Sequence, residues 1–186
     1  MTVGHEPRLE SARRENVATR LGALAEIARA AWAGSEADLL RQAAGSAREA
    51  LGAASVSISR WDAELGQVRV LLNDGQLGPH EVPEPMDEVY TAETYVHLQV
   101  LADQLTGWAS NIDHGDQDEA DIKLLHALDK HCSVGAPIPM DGRIWGELFL
   151  SRTADQPRFD ALDEIEARPP DQGAIAEHPE VADSRV

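Results

Sequence analysis

The feature that most constrains the fold is a pair of alternating apolar runs on either side of an Asp-Gly dipeptide, within residues 133–150. In the first run, Val134, Ala136 and Ile138 share one parity, and the second run follows directly after the dipeptide. Alternation with a period of two places successive side chains on opposite faces of an extended strand. Asp-Gly is a preferred two-residue turn between antiparallel strands. The segment therefore predicts a β-hairpin.

Two consecutive helices are predicted near the N-terminus. The first covers about residues 16–32, where apolar residues recur at steps of four and three. Its apolar stripe consists of Val17, Leu21, Leu24 and Ala28. Helices with this near-heptad spacing commonly pair between protomers, so we predict a homodimer through 16–32, to which 159–166 could add. The second helix begins at the N-cap Ser35 and ends at Gly52.

Downstream of Gly52, the spacing of apolar residues alternates between the periods of strands and helices. In chain order it predicts strands near 54–58 and 67–72, a loop over 73–88, a helix over 98–105, a strand over 108–112, a helix containing Ile122, Leu125 and Leu128, the hairpin, and a last helix containing Phe159, Leu162 and Ile165. Helices and strands thus occur in one chain of 186 residues, which has room for one domain with a sizeable core.

The hairpin resembles the last strand pair of GAF domains, a family of small-molecule sensor modules. In that family a serine is followed by Pro-Ile or Pro-Leu, then by a polar turn with Gly, and then by Trp-Gly or Ile-Gly before Leu-x-Leu. The corresponding residues here are Ser133, Pro137-Ile138, Asp141-Gly142, Trp145-Gly146, Leu148 and Leu150. Together with the order of the predicted elements, the resemblance covers residues 35–166.

The resemblance implies both a fold and a function. The fold is of the α+β class, with a GAF-like antiparallel sheet, terminal helices on one face and a ligand pocket on the other. The function is that of a non-catalytic sensor or regulatory domain in bacterial signal transduction, which binds a small molecule and transmits through its terminal helices to a partner protein. The predicted domain covers 16–168, between a disordered N-terminus, 1–15, and a disordered acidic tail, 169–186. Pro169 and Pro170 interrupt any continuation of the last helix, so the chain is either a stand-alone sensor or a truncated relative of a longer regulator.

Charge and composition exclude several classes of function. The formal net charge is −17, and residues 62–130 hold fifteen acidic residues against three Lys or Arg. Such a surface repels phosphate backbones, so no nucleic-acid partner is expected. The sequence has no apolar run of the roughly 18–20 residues that a membrane span requires, and its one cysteine excludes an intramolecular disulfide. These features predict a cytoplasmic protein without membrane contact.

Aromatic, imidazole and thiol side chains supply the candidates for lining a ligand pocket. They are Tyr90, Tyr95, His97, Trp108, His126 and Cys132. The aromatic rings could stack on a flat ligand, with ordinary packing in the core or at the rim as the alternative. The histidines could hold a haem or a metal ion, although a half-buried structural histidine is the commoner case. Cys132 is the only thiol, but its parity with Val134 favours a small core residue. Some GAF domains bind a bilin through a cysteine, which generally lies elsewhere in the pocket.

No catalytic residue, metal site or cofactor is assigned. No Ser/His/Asp arrangement and no Gly-rich phosphate loop can be assembled with workable spacing. The acidic run 113–121 lacks the pattern of a calcium loop, and its carboxylates are well placed to stabilise a helix N-terminus. The alternative to a sensor is a protein-interaction module with an empty or degenerate pocket, which acts through its acidic surface. The identity of the ligand stays open.

Overall fold

The computed structural model describes residues 35–113 and 118–159. Three helices and six strands follow one another in these ranges. They are α1 (Glu36–Ala50), β1 (Ser55–Asp62), β2 (Gln67–Gly75), β3 (Val89–Thr91), α2 (Val96–Gln104), β4 (Trp108–Asn111), α3 (Glu119–Ala127), β5 (Cys132–Met140) and β6 (Arg143–Arg152). The predicted dimer stripe and the part of the predicted last helix beyond Phe159 lie outside the described residues.

The six strands form one antiparallel sheet in the order β3-β2-β1-β6-β5-β4. The predicted hairpin is confirmed, because β5 pairs with β6 and both turn residues, Asp141 and Gly142, have positive φ angles of 51° and 73°. Gly146 lets β6 approach β1 closely, since a Cβ at this position would lie 2.0 Å from the main-chain oxygen of Ser59. The α+β architecture with an antiparallel sheet is therefore confirmed.

The helix α1 packs on one face of the sheet and forms the main core there. It begins with a capping box, in which the Ser35 side chain accepts from the amide of Asp38 and the Asp38 side chain accepts from the amide of Ser35. The buried residues of this core are Ala44, Ala53, Val56, Ile58, Leu72, Val134 and Leu150. Full burial of each large aliphatic side chain contributes roughly 1.5–3 kcal/mol, so this face supplies a large share of the stability.

The strand β1 has a different environment on each of its faces. Val56 and Ile58 belong to the core under α1, whereas Ser57 and Ser59 line a cavity on the other face. The helices α2 and α3 cover this second face, and Leu98 of α2 is among the most buried side chains there. The sheet thus separates an apolar core from a cavity that is lined by apolar, aromatic and polar side chains.

Two boundaries and one strand differ from the sequence prediction. The strand β2 continues to Gly75, through residues predicted as loop, because its pairing with β1 persists and Ser57 Oγ donates to Asn73 Oδ1 at 2.6 Å. The sequence does not predict β3, since three residues are too few to show a period. The helix α2 begins at Val96, two residues before the predicted range, and is capped at Leu105, which has a left-handed φ of 50°. Within the described ranges, no helix combines the length and hydrophobicity that crossing a membrane requires.

Candidate ligand-binding cavity

A cavity lies between the sheet face opposite α1 and the two helices α2 and α3. Its floor is formed by alternating residues of β1, β2, β3 and β6, among them Ser57, Ser59 and Phe149. The enclosed space that can hold a water-sized group has a volume of about 30 Å³, and an outline that also includes open solvent at the mouth has a volume of about 400 Å³. The enclosed space has room for about two water molecules.

A row of five rings runs along one side of the cavity. Tyr90 and Tyr95 meet edge to face, with their ring centroids 5.5 Å apart. Tyr95 contacts His97 at 5.9 Å, and His97 lies over Trp108 at 3.6 Å with 32° between the ring planes. Trp108 in turn contacts Phe149 at 5.8 Å. Each aromatic pair of this kind stabilises a fold by about 0.5–1.5 kcal/mol in addition to the contribution from buried area. The row is therefore a well-packed side of the cavity.

Glu147 of β6 is the most buried acid that lines the cavity, with 4% of its surface exposed. Trp108 donates its Nε1–H to Glu147 Oε1 at 3.0 Å. Gly135 of β5 makes room for this contact, because a Cβ there would lie 2.1 Å from Trp108 Nε1. Burial raises the pKa of the Glu147 carboxyl, and the proximity of His97 and the hydrogen bond from Trp108 oppose that rise only in part. The cavity therefore holds an acid whose charged form is destabilised by burial.

A chain of hydrogen-bonded side chains crosses the floor of the cavity. Ser57 Oγ donates to Asn73 Oδ1, and Asn73 Nδ2 donates to Glu88 Oε2 at 3.1 Å and to the main-chain oxygen of Val82 at 2.9 Å. Tyr90 donates its hydroxyl to Glu88 Oε1 at 2.8 Å. Burial and, next, the charge of Glu88 raise the pKa of Tyr90, so the hydroxyl remains a donor. Both oxygens of the Glu88 carboxylate are thereby held in place.

His97 and Asp121 form a close, buried pair beside the cavity. Nδ1 of His97 lies 2.9 Å from Oδ1 of Asp121, and 12% and 9% of the two side chains are exposed. The two atoms are out of line for a hydrogen bond, so neither has a hydrogen-bond partner among the described residues. Burial, and to a smaller extent the charge of Asp121, raises the pKa of Tyr95. The wall of the cavity thus contains two buried polar atoms whose hydrogen-bonding capacity is unused within the described ranges.

Glu81, a third carboxylate of the lining, is paired with a buried lysine. Lys130 Nζ lies 3.7 Å from Glu81 Oε2, and 1% and 3% of the two side chains are exposed. Lys130 also donates to the main-chain oxygen of Gln76 at 2.6 Å, and Gly78 donates its amide to the Glu81 carboxylate. These contacts join the segment between β2 and β3 to the end of α3.

Four of the six predicted pocket residues lie together. Tyr90, Tyr95 and His97 line the cavity, and Trp108 supports it from behind through its contacts with His97 and Glu147. The strand β3 and the start of α2 bring the first three together, and β4 supplies the fourth. The structure therefore places these rings in one wall.

The other two predicted pocket residues lie elsewhere. His126 is exposed on α3 and borders a separate depression that also contains His131. Cys132 is buried at the start of β5 and has the parity of Val134, which belongs to the core under α1. Within the described residues, no three His, Cys, Asp or Glu side chains are arranged to hold a metal ion.

The three glutamates of the cavity are not among the residues predicted from the sequence. Glu147 carries a readable signal, because it interrupts the apolar run of β6 at the parity of Phe149, which also lines the cavity. Glu81 and Glu88 carry none, since they lie in the irregular segment before β3 and reach the cavity only through long-range folding.

Comparison with known proteins finds solved structures of similar fold. No model of a protein family and no curated protein matches the sequence. The phycocyanobilin-bound GAF domain from a cyanobacterial phytochrome is similar in structure, with a TM-score of 0.63 and 20% identity over 80% of this chain and 86% of that one. The phycoerythrobilin-bound GAF domain from a cyanobacterial phytochrome matches with a TM-score of 0.64 and 18% identity, over 81% and 89% of the two chains. The GAF domain from a phosphoenolpyruvate-protein phosphotransferase of Coxiella burnetii matches with a TM-score of 0.59 and 19% identity, over 81% and 86%. The chain has the fold of a GAF domain, as its hairpin motif predicts.

Proposed function

We propose that this chain is a non-catalytic sensor domain of a bacterial signalling system, which acts in the cytoplasm and binds a small molecule in the cavity. The observation that carries the proposal is the convergence of rings and hydrogen-bonding groups from four strands and two helices on one concave site. The site lies on the sheet face opposite α1, where the resemblance to GAF domains implies a pocket. The similar phytochrome GAF domains are bound to phycocyanobilin and phycoerythrobilin, which supports a small molecule as the ligand.

The proposed ligand is compact and held without a covalent bond. Cys132 is the one thiol of the sequence, and it is buried at the start of β5 and is not among the residues that line the cavity. The enclosed volume of about 30 Å³ is also far too small for a linear tetrapyrrole. Both observations favour a smaller ligand than the chromophores of the phytochrome domains.

The strand β1 offers a direct route from the cavity to α1. Ser57 and Ser59 line the cavity, and the residues between and before them, Val56 and Ile58, pack in the core with Ala44 of α1. Packed cores respond to displacement by shifting as units, so a movement of β1 around a ligand would move the surface on which α1 rests. In the proposed mechanism, α1 and the predicted dimer helix before it carry this change to a partner protein.

Native mass spectrometry of the freshly purified protein, compared with the same sample after denaturation, tests the proposal. A folded species with an additional mass that is lost on denaturation is the expected result, because it shows a non-covalent ligand and gives its mass. A bare species that also binds nothing from a library of metabolites in a thermal-shift assay would contradict the sensor function.

A second candidate function is a protein-interaction module whose pocket is degenerate. The specific observation in its favour is that the rings of His97 and Trp108 stack at 3.6 Å within the wall and leave an enclosed volume of only about 30 Å³. The net charge of −17 would then attract a basic partner protein. This function predicts a bare species in the mass spectrum together with partner binding that weakens as salt is added.

A further inference from the structure

The charge of the cavity restricts the kind of ligand that it can accept. Among the described residues that line it, three are glutamates and none is Lys or Arg. Glu81 is paired with Lys130, whereas Glu88 and Glu147 accept hydrogen bonds from the neutral donors Tyr90, Asn73 and Trp108. An anionic ligand would place its charge beside these carboxylates in a desolvated site, which is unfavourable.

Glu147 has hydrogen-bonding capacity that the protein does not use. Trp108 occupies Oε1, and no described residue donates a hydrogen bond to Oε2. Asp121 Oδ1, which lies 2.9 Å from Nδ1 of His97, is a buried oxygen without a hydrogen bond among the described residues. Glu147 Oε2 is therefore available to a donor from a ligand in the cavity, and such a hydrogen bond would stabilise the carboxylate.

The aromatic row favours the same kind of ligand as the carboxylates do. The faces of aromatic rings carry partial negative charge and attract cations, and this attraction strengthens in desolvated sites. Tyr90, Tyr95 and Phe149 line the cavity together with Glu88 and Glu147. The rings and the carboxylates therefore both favour a ligand that carries a positive charge on a planar group.

From these observations we propose that the cavity selects a compact planar cation, such as an amidinium or a protonated nitrogen heterocycle, which donates to Glu147 and lies against the aromatic row. The inference rests on the proposed function, since it names the ligand class of the same site. The free space of about 30 Å³ has room for the charged end group alone, so the rest of the ligand lies at the open mouth of the cavity.

Three probes of nearly equal shape and different charge test the inference. They are benzamidine, which is a cation at neutral pH, benzamide, which is neutral, and benzoate, which is an anion. Each is titrated into the full-length chain at pH 7.5 and 150 mM salt and followed by amide signals in NMR, which report both affinity and location. We expect benzamidine to bind at the cavity about tenfold or more tightly than benzamide, the factor of one charge-assisted hydrogen bond, and benzoate to bind least.

Variants of single carboxylates show whether the selection comes from Glu147. Glu147→Gln keeps the size of the side chain and is expected to reduce the preference for benzamidine over benzamide about tenfold. Glu88→Gln, as a second variant, is expected to reduce the same preference to a smaller extent because its oxygens are already occupied. Glu49→Gln removes an equal charge from an exposed position on α1 and is expected to leave the preference unchanged.

Three results would overturn the inference. Equal or tighter binding of benzamide or benzoate at the cavity would show that charge does not select the ligand, and the sensor function would still stand. Signal changes away from β1, β3 and β6 would show that benzamidine binds only the acidic surface. If no probe binds while mass spectrometry finds a native ligand of neutral or anionic composition, the ligand class is wrong and the proposed function is supported independently.

Discussion

The carboxyl group of Glu147 shows how one buried residue makes stability depend on pH. Burial raises its pKa above the ordinary value of 4.5, so the folded state binds a proton more tightly than the unfolded state does. The contribution of Glu147 to stability therefore falls as the pH rises from 4.5 to the pKa of the folded state, because in this range the unfolded chain ionises and the folded chain does not. Each unit of difference between the two pKa values corresponds to about 1.4 kcal/mol.

We predict that Glu147→Gln stabilises the protein at pH 8 and has little effect on stability near pH 4. The amide keeps the oxygen that accepts from Trp108 and removes the charge that burial disfavours. Urea denaturation of both proteins at several pH values measures the difference in the free energy of unfolding. A constant difference between pH 4 and pH 8 would show that Glu147 does not titrate with a raised pKa.

Gly135 is required by the position of the Trp108 ring. A Cβ at Gly135 would lie 2.1 Å from Nε1 and 2.4 Å from Cε2 of that ring. We predict that Gly135→Ala displaces the ring from His97 and Glu147 and destabilises the fold by about 1–3 kcal/mol. Near-ultraviolet circular dichroism reports the displacement, and urea denaturation reports the cost.

Gly45→Ala is the matched control for this substitution. Gly45 lies within α1, and a Cβ there would have no atom within 4 Å, so the change should stabilise the helix by about 0.5–1 kcal/mol. Equal effects of the two alanines on stability and on the aromatic spectrum would contradict the role given to Gly135.

At the scale of secondary structure, Lys130 and Glu81 fasten the irregular segment before β3 to the end of α3. Both side chains are almost fully buried, and Lys130 also holds the main-chain oxygen of Gln76. We predict that Lys130→Met destabilises the protein by about 3–5 kcal/mol, because it leaves a buried carboxylate without its counter-charge. Thermal or urea denaturation measures this loss.

The double variant Lys130→Met with Glu81→Gln separates loss of the charge pair from loss of packing. Glutamine retains an acceptor for the amide of Gly78, and no unpaired charge remains. The double variant should therefore regain most of the lost stability. A double variant as unstable as Lys130→Met would assign the effect to packing of the lysine side chain.

Elements with a strong local period are predictable from this sequence, and elements defined by distant partners are not. The hairpin of β5 and β6, the helix α1 with its cap at Ser35 and the pair β1 and β2 follow from alternation, helical spacing and turn residues. The strand β3 has only three residues and exists through its pairing with residues 67–69 of β2. The cavity is harder still to predict, because Glu88 and Glu147 are far apart in sequence. They line the same cavity only when β3 and β6 have joined the same sheet.

At the scale of the whole molecule, the sequence predicts a homodimer that the described residues leave untested. The stripe of Val17, Leu21, Leu24 and Ala28 is the basis of that prediction. A net charge of −17 opposes self-association, and this opposition is screened at physiological salt. We predict a dimer by light scattering at 150 mM salt and a monomer when Leu21→Asp and Leu24→Asp are combined.

Two substitutions on the opposite side of the same predicted helix provide the control for the dimer. Ala23→Asp with Ala30→Asp adds the same charge at positions about half a helical turn away from the stripe, and should leave the dimer intact. A monomeric wild-type protein at high concentration would disprove the dimer, and dissociation by both pairs of substitutions would assign the effect to charge alone.

The alternation of β1 has a consequence for how such a domain can diversify. Ser57 and Ser59 belong to the cavity, and Val56 and Ile58 belong to the core, although they are neighbours in one strand. Mutation at Val56 and Ile58 is constrained by the core. Ser57 also holds Asn73 through a buried hydrogen bond, whereas Ser59 has no such partner among the described side chains. Libraries that randomise Ser59 and retain Val56, Ser57 and Ile58 would therefore be a practical starting point for engineering biosensors with new specificities on this scaffold.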